Sequence, residues 1–161
     1  MPLYTCTIAE STLSADTKRE LAGAIARIHS SINHVPSTYV DVAFHELSAD
    51  SLYTDGEPAR PALASGWVRA APRDAETTRL ATEIATAVTR ITAIPTERVL
   101  VVIQSSPARY AVEGGRVLPE PGHEQAGSPE LTKTGNAFRR KTAIPDPRES
   151  VTNSTLQQLS A

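Results

Sequence analysis

Apolar and polar residues alternate from Leu3 to Ile8, with β-favouring types among them, and a period of two predicts a strand. From Thr17 to Ile32 the period changes. Leu21, Ala22, Ala24, Ile25, Ala26, Ile28 and Ile32 recur mostly at spacings of three and four, with Lys18, Arg19, Glu20 and Arg27 between them, which predicts an amphipathic helix with one buried face. Ser14 and Asp16 supply its start, and Asn33-His34-Val35-Pro36 stops it. Alternation returns over Tyr39-Val40-Asp41-Val42-Ala43-Phe44 as a second strand, so the segment reads β-α-β.

The same pattern recurs 59 residues further on. Pro2 falls on Pro61, Leu21-Ala22 on Leu80-Ala81, Ile25-Ala26 on Ile84-Ala85 and Ile32 on Ile91, while Pro36, Val40 and Val42 fall on Pro95, Val99 and Val101. Helix core, helix stop and strand core coincide together, which points to two fused copies of one unit, about residues 2–46 and 61–104. Right-handed crossovers turn two such units into an α/β domain. Its four-stranded sheet is parallel within each unit and carries both helices on one face. The opposite face would leave apolar strand residues in water, so an oligomer that covers it is expected.

Between the copies, Ser48 to Arg60 is polar and holds Gly56 and Pro58, as a linker or exposed excursion would. Beyond Gln104 the periodicity fades, and the reading is one domain over 1–124 followed by a tail, 125–161, rich in Pro, Ser, Thr and Asn. Such a tail buries little surface alone and is expected to lie across a partner subunit or to stay partly disordered. Its one helical signal runs from Pro129 to Arg140, with Ser128 as cap.

Composition narrows the function. With 16 basic and 18 acidic residues among 161, the formal charge of -2 gives no electrostatic footing for nucleic acid or an anionic membrane. No run approaches the ~20 apolar residues of a membrane span, and the start lacks a basic, apolar leader pattern. A soluble, untargeted cytoplasmic protein is expected, and small-molecule chemistry or protein contact remains. The single Cys6 forms no internal disulfide and reads as a small core residue.

Several residues carry a family likeness. Pro-Leu-Tyr follows Met1, the β-α-β unit is duplicated, and His29 stands near the end of the first helix. Arg69 and Arg73 follow the third main strand, and Glu113 precedes Gly115-Arg116-Val117-Leu118-Pro119-Glu120-Pro121-Gly122-His123-Glu124. Together these resemble the tautomerase superfamily, and within it the cis-3-chloroacrylic acid dehalogenase family, over about Pro2 to Glu124. The resemblance implies a homotrimer of fused β-α-β units with no metal or organic cofactor, active on small 2-keto or α,β-unsaturated carboxylates. Two departures stand out. The family's Tyr, eleven residues before the Glu, is Val102 here, and the two Arg stand four apart rather than three, with Pro72 between them. Both argue against dehalogenation and leave proline-based tautomerisation untouched.

The chemistry follows from residue types. Removal of Met1 leaves Pro2 as a secondary amine, whose pKa of ~8 cationic neighbours such as Arg69 and Arg73 would lower toward a free base. Pro61 is a tertiary amide with no usable basicity. Arg69 and Arg73 offer paired donors to a carboxylate, although Arg73 also stands next to Asp74. His29 can donate to a substrate oxygen, Tyr39 can wall the pocket, and His34 and Tyr4 are lesser candidates. Glu113, followed by Gly114 and Gly115, can be aimed into a site from a loop as a second acid or base. His123-Glu124 lacks the spacing of a metal site. The expected activity is keto-enol isomerisation of a small 2-keto carboxylate such as phenylpyruvate, with Pro2 and Glu113 catalytic and His29, Arg69, Arg73 and Tyr39 binding substrate. The alternatives are a hydratase or cis-3-haloacrylate dehalogenase with Pro2 as general acid, and a trimeric binding protein with vestigial turnover.

Overall fold

The computed structural model describes residues 2–69 and 74–120. The first unit is β1 (Leu3–Ala9), α1 (Ala15–Asn33) and β2 (Asp41–Leu47); a small hairpin of β3 (Tyr53–Thr54) and β4 (Glu57–Pro58) follows. The second unit is β5 (Ala62–Arg69), α2 (Asp74–Thr92) and β6 (Val99–Ser106), and a last hairpin pairs β7 (Val112–Glu113) with β8 (Arg116–Val117). The four long strands lie in the order β2-β1-β5-β6, with β1 parallel to β2, β5 parallel to β6, and an antiparallel seam between β1 and β5. This is the expected sheet.

Local chemistry sets the helix ends. The Ser14 hydroxyl accepts from the Thr17 N–H at 3.1 Å, satisfying one donor of the first turn, and Asp16 adds a negative charge where the helix dipole is positive. Helix α1 stops on His34, which takes the left-handed conformation at φ 55°, and 59 residues later Ala93 does the same at φ 57°. Pro36 and Pro95 then open matching 3₁₀ turns, Ser37–Tyr39 and Thr96–Arg98, that hand the chain to β2 and β6. The repeat thus extends to the backbone angles of its turns.

One face of the sheet meets both helices. Tyr4, Cys6 and Ile8 of β1 and Ala62, Ala64 and Val68 of β5 pack on Leu21, Ile25 and Ile32 of α1 and Leu80, Ile84 and Val88 of α2. Cys6 is buried and free, and burial pushes its thiol up to about 11, so it is an inert core residue. On the other face Leu3 is 49% exposed, Leu100 55% and Val102 42%, the uncovered apolar surface that the pattern implied.

Pairing register adds a detail that the gapless overlay hides. Tyr4 stands opposite Val42 and Ala64 opposite Val101, so the second strands correspond at a shift of 59 residues but the first strands at 60. The place in β5 that answers to Pro2 is therefore Ala62, with Pro61 one residue ahead of it. The excursion after β2 forms the β3–β4 hairpin, turning at Asp55 and Gly56, both at positive φ. Arg73, His123-Glu124, the 125–161 tail and its helical signal over Pro129–Arg140 lie outside the described residues. Among those described, no helix is long and apolar enough to cross a membrane.

Candidate active site

The antiparallel seam decides which residues can meet. Leu3 pairs with Trp67, so the start of β1 runs beside the end of β5, where Arg69 is the last residue. Pro2 is buried just ahead of β1, and its carbonyl accepts from the Asp41 N–H at 3.1 Å, tying it to β2. Arg69 donates from Nη1 to the Pro119 carbonyl at 2.9 Å.

His29 is only 3% exposed, within the apolar stripe of α1. The Tyr4 hydroxyl is hydrogen-bonded to its Nδ1 at 2.7 Å, and the two rings meet edge to face at 5.7 Å between centroids. The Asn33 side-chain amide, one turn on, also donates toward Nδ1 at 3.4 Å. Burial first, then the positive charges of the chain's amino terminus and of Arg69, hold His29 down at about 4. The amino terminus and the Arg69 guanidinium thus each lie within electrostatic reach of the imidazole, which is neutral at pH 7. Gly66 makes room for this arrangement: a Cβ there would lie 2.4 Å from Cε1 of the Tyr4 ring.

A pH dependence of stability follows. The unfolded chain protonates His29 near its ordinary 6.5, whereas the folded chain resists until about 4, so between these values the unfolded state binds more protons. The His29 contribution is complete above pH 6.5, is lost as the pH falls toward about 4, and loses no more below that. Urea midpoints measured across this window should fall more steeply for the wild type than for a Tyr4→Phe/His29→Val double variant.

The remaining candidates are set by other elements. Glu113 is half-buried in the β7–β8 hairpin, opposite Arg116, and the turn at Gly114 and Gly115 has φ values of 57° and 78° that favour glycine. Past the hairpin, Leu118 N–H donates to the Ala111 carbonyl at 3.0 Å and Glu120 accepts from Ala108 N–H at 3.2 Å. The same short segment presents Pro119 to Arg69, so the Glu113 hairpin and the end of β5 are mechanically joined. Tyr39 closes its 3₁₀ turn and is 37% exposed. Sequence reasoning ranked Tyr4 low and missed Asn33 and Gly66 as site residues. Asn33 had a signal, its four-residue spacing from His29; the Tyr4 contact had none.

Residues 1–129 match the sequence model of a tautomerase family described as "Putative oxalocrotonate tautomerase enzyme". The chain belongs to this tautomerase family. The superfamily likeness read from the residues is thereby borne out. Among solved structures, native Ps01740 is 32% identical, with 69% of this chain and 99% of that one covered at a TM-score of 0.67. N1, titled a member of the cis-3-chloroacrylic acid dehalogenase family, matches at TM-score 0.75 and 23% identity over 84% of this chain and 99% of its own. The fused 4-OT called R7, solved as an asymmetric trimer, matches at TM-score 0.67 and 15% identity over 71% of this chain and 94% of its own. A search of curated proteins returns no match. The last two likenesses establish the tautomerase fold of duplicated β-α-β units and nothing finer.

Proposed function

We propose that the processed chain is a cofactor-independent tautomerase of small 2-keto carboxylates with Pro2 as its base. The observation that carries this reading is a buried, neutral His29 that feels the positive charge of Arg69 and that of the amino terminus, which in the unprocessed chain stands one residue ahead of Pro2. Arg69, with Arg73, binds the carboxylate, and the His29 N–H donates to the carbonyl oxygen. The Pro2 nitrogen takes the proton from the carbon next to the carbonyl. The C–H electron pair forms the carbon-carbon double bond, charge moves to the oxygen, and the proton returns there to give the enol. Each step is reversible, so an enol is ketonised by the same groups. A homotrimer that buries Leu3, Leu100 and Val102 accounts for the open sheet face, and the trimeric fused 4-OT of the same fold supports it.

Hydration of a haloacrylate finds less support, since the alkyl side chain of Val102 cannot activate water beside Glu113. The test is intact-mass measurement together with phenylpyruvate ketonisation followed by ultraviolet absorbance. The expected result is loss of Met1 and catalysed ketonisation; retained Met1, or a rate equal to the uncatalysed one, overturns the reading.

A further inference from the structure

Within the described residues, every hydrogen bond to the His29 ring falls on Nδ1: the Tyr4 hydroxyl at 2.7 Å and the Asn33 amide at 3.4 Å. An amide NH₂ can only donate. The Tyr4 phenol, fully buried, is pushed above its ordinary range and keeps its proton, so it can donate wherever Nδ1 is an acceptor. With an amide that only donates on one side and a phenol able to donate on the other, Nδ1 is best served as the acceptor, which puts the proton of the neutral ring on Nε2.

The second unit shows that the fold does not require this pair. At the shift of 59 residues the counterpart of His29 is Val88, and by strand register the counterpart of Tyr4 is Ala64. Both are buried in the same core. An apolar pair therefore serves the copy whose first strand follows an ordinary amide, while the copy that begins with the amine carries a desolvated polar pair, which costs free energy unless fully bonded. Gly66 belongs to the same arrangement, because any side chain at that position would strike the Tyr4 ring.

Resting on the tautomerase reading above, we infer that Tyr4 is a positioning residue: its hydroxyl locks His29 in the Nε2–H tautomer, so that Nε2 presents a neutral donor to the substrate oxygen. The neutral donor matters to the neighbouring base. An imidazolium at this point would stabilise the enolate but would add a third cation beside the amine and Arg69, whereas the Nε2–H form supplies the hydrogen bond without the charge.

The experiment is long-range ¹H–¹⁵N correlation NMR of the histidine rings in the wild type and in Tyr4→Phe, with phenylpyruvate kinetics on both. In the wild type at pH 7 His29 should show a protonated Nε2 and a bare Nδ1. In Tyr4→Phe an Nδ1–H population should appear, and kcat/KM should fall about 3–10-fold, the loss of one net hydrogen bond. An Nδ1–H tautomer in the wild type overturns the inference, and so does a Tyr4→Phe protein with the wild-type tautomer or with unchanged kinetics. The wild-type spectrum decides alone if Tyr4→Phe does not fold. Failure of the proline reading is separable, because it appears as undiminished turnover when Pro2 is changed, whereas the ring spectrum is taken on the resting protein.

Discussion

A chain that keeps one residue ahead of Pro2 is expected to lose roughly 10²–10⁴-fold in kcat/KM for phenylpyruvate ketonisation, the contribution of a positioned acid-base group. Acylation turns the ring nitrogen into an amide whose lone pair is delocalised, so the base is removed while every other side chain stays. Pro2→Ala is a milder lesion. A small residue at position 2 still permits loss of Met1, and the new terminus is a primary amine that can titrate but is no longer fixed by the ring. A loss of about 10²-fold, near the low end of the same range, is expected there. Steady-state rates on mass-verified proteins with unchanged circular dichroism check both. Full activity in the extended chain would remove Pro2 from the mechanism.

Arg69→Ala should lower kcat/KM about 10–10²-fold, the equivalent of roughly 1.5–3 kcal/mol for hydrogen bonds to a charged group. Most of the change should fall on KM, because substrate and transition state hold the carboxylate alike. Arg69→Lys should recover little, since a point charge replaces a planar fork. A second signature accompanies the first. With the cation gone the Pro2 amine becomes easier to protonate, so the acidic limb of the pH-rate profile should move to higher pH. Because Arg69 also holds the Pro119 carbonyl, urea unfolding of each variant must be shown to match the wild type. An unchanged KM would exclude Arg69 from carboxylate recognition.

Much of the fold was legible because the same instructions are written twice. The stripe Leu21, Ile25, Ile32 and its echo Leu80, Ile84, Ile91, with Pro36 and Pro95 as stops, define helices that the structure places at Ala15–Asn33 and Asp74–Thr92. The small hairpins were not legible as strands, since two-residue pairings carry no alternation; only Asp55-Gly56 and Gly114-Gly115 marked them, and those read equally well as loop. The shared prolines at 2 and 61 invited an overlay that is one residue out in the first strands, an error visible only through pairing. At the site, the types of Pro2, His29, Arg69 and Glu113 pointed to chemistry, but the Tyr4–His29 bond spans 25 residues and leaves no periodic trace. The burial of His29 was legible, since its spacing of four from Ile25 places it on the buried face.

A lone β-α-β unit runs its two strands in the same direction, so both begin at one edge and neither can begin where the other finishes. Joining two units head to tail across the β1–β5 seam creates that meeting point, bringing a strand's opening residue to another strand's closing one. A chain cut within the β3–β4 excursion would have Pro2 on one fragment and Arg69 on the other, and on the proposed mechanism neither piece would turn over substrate until the pair had reassociated.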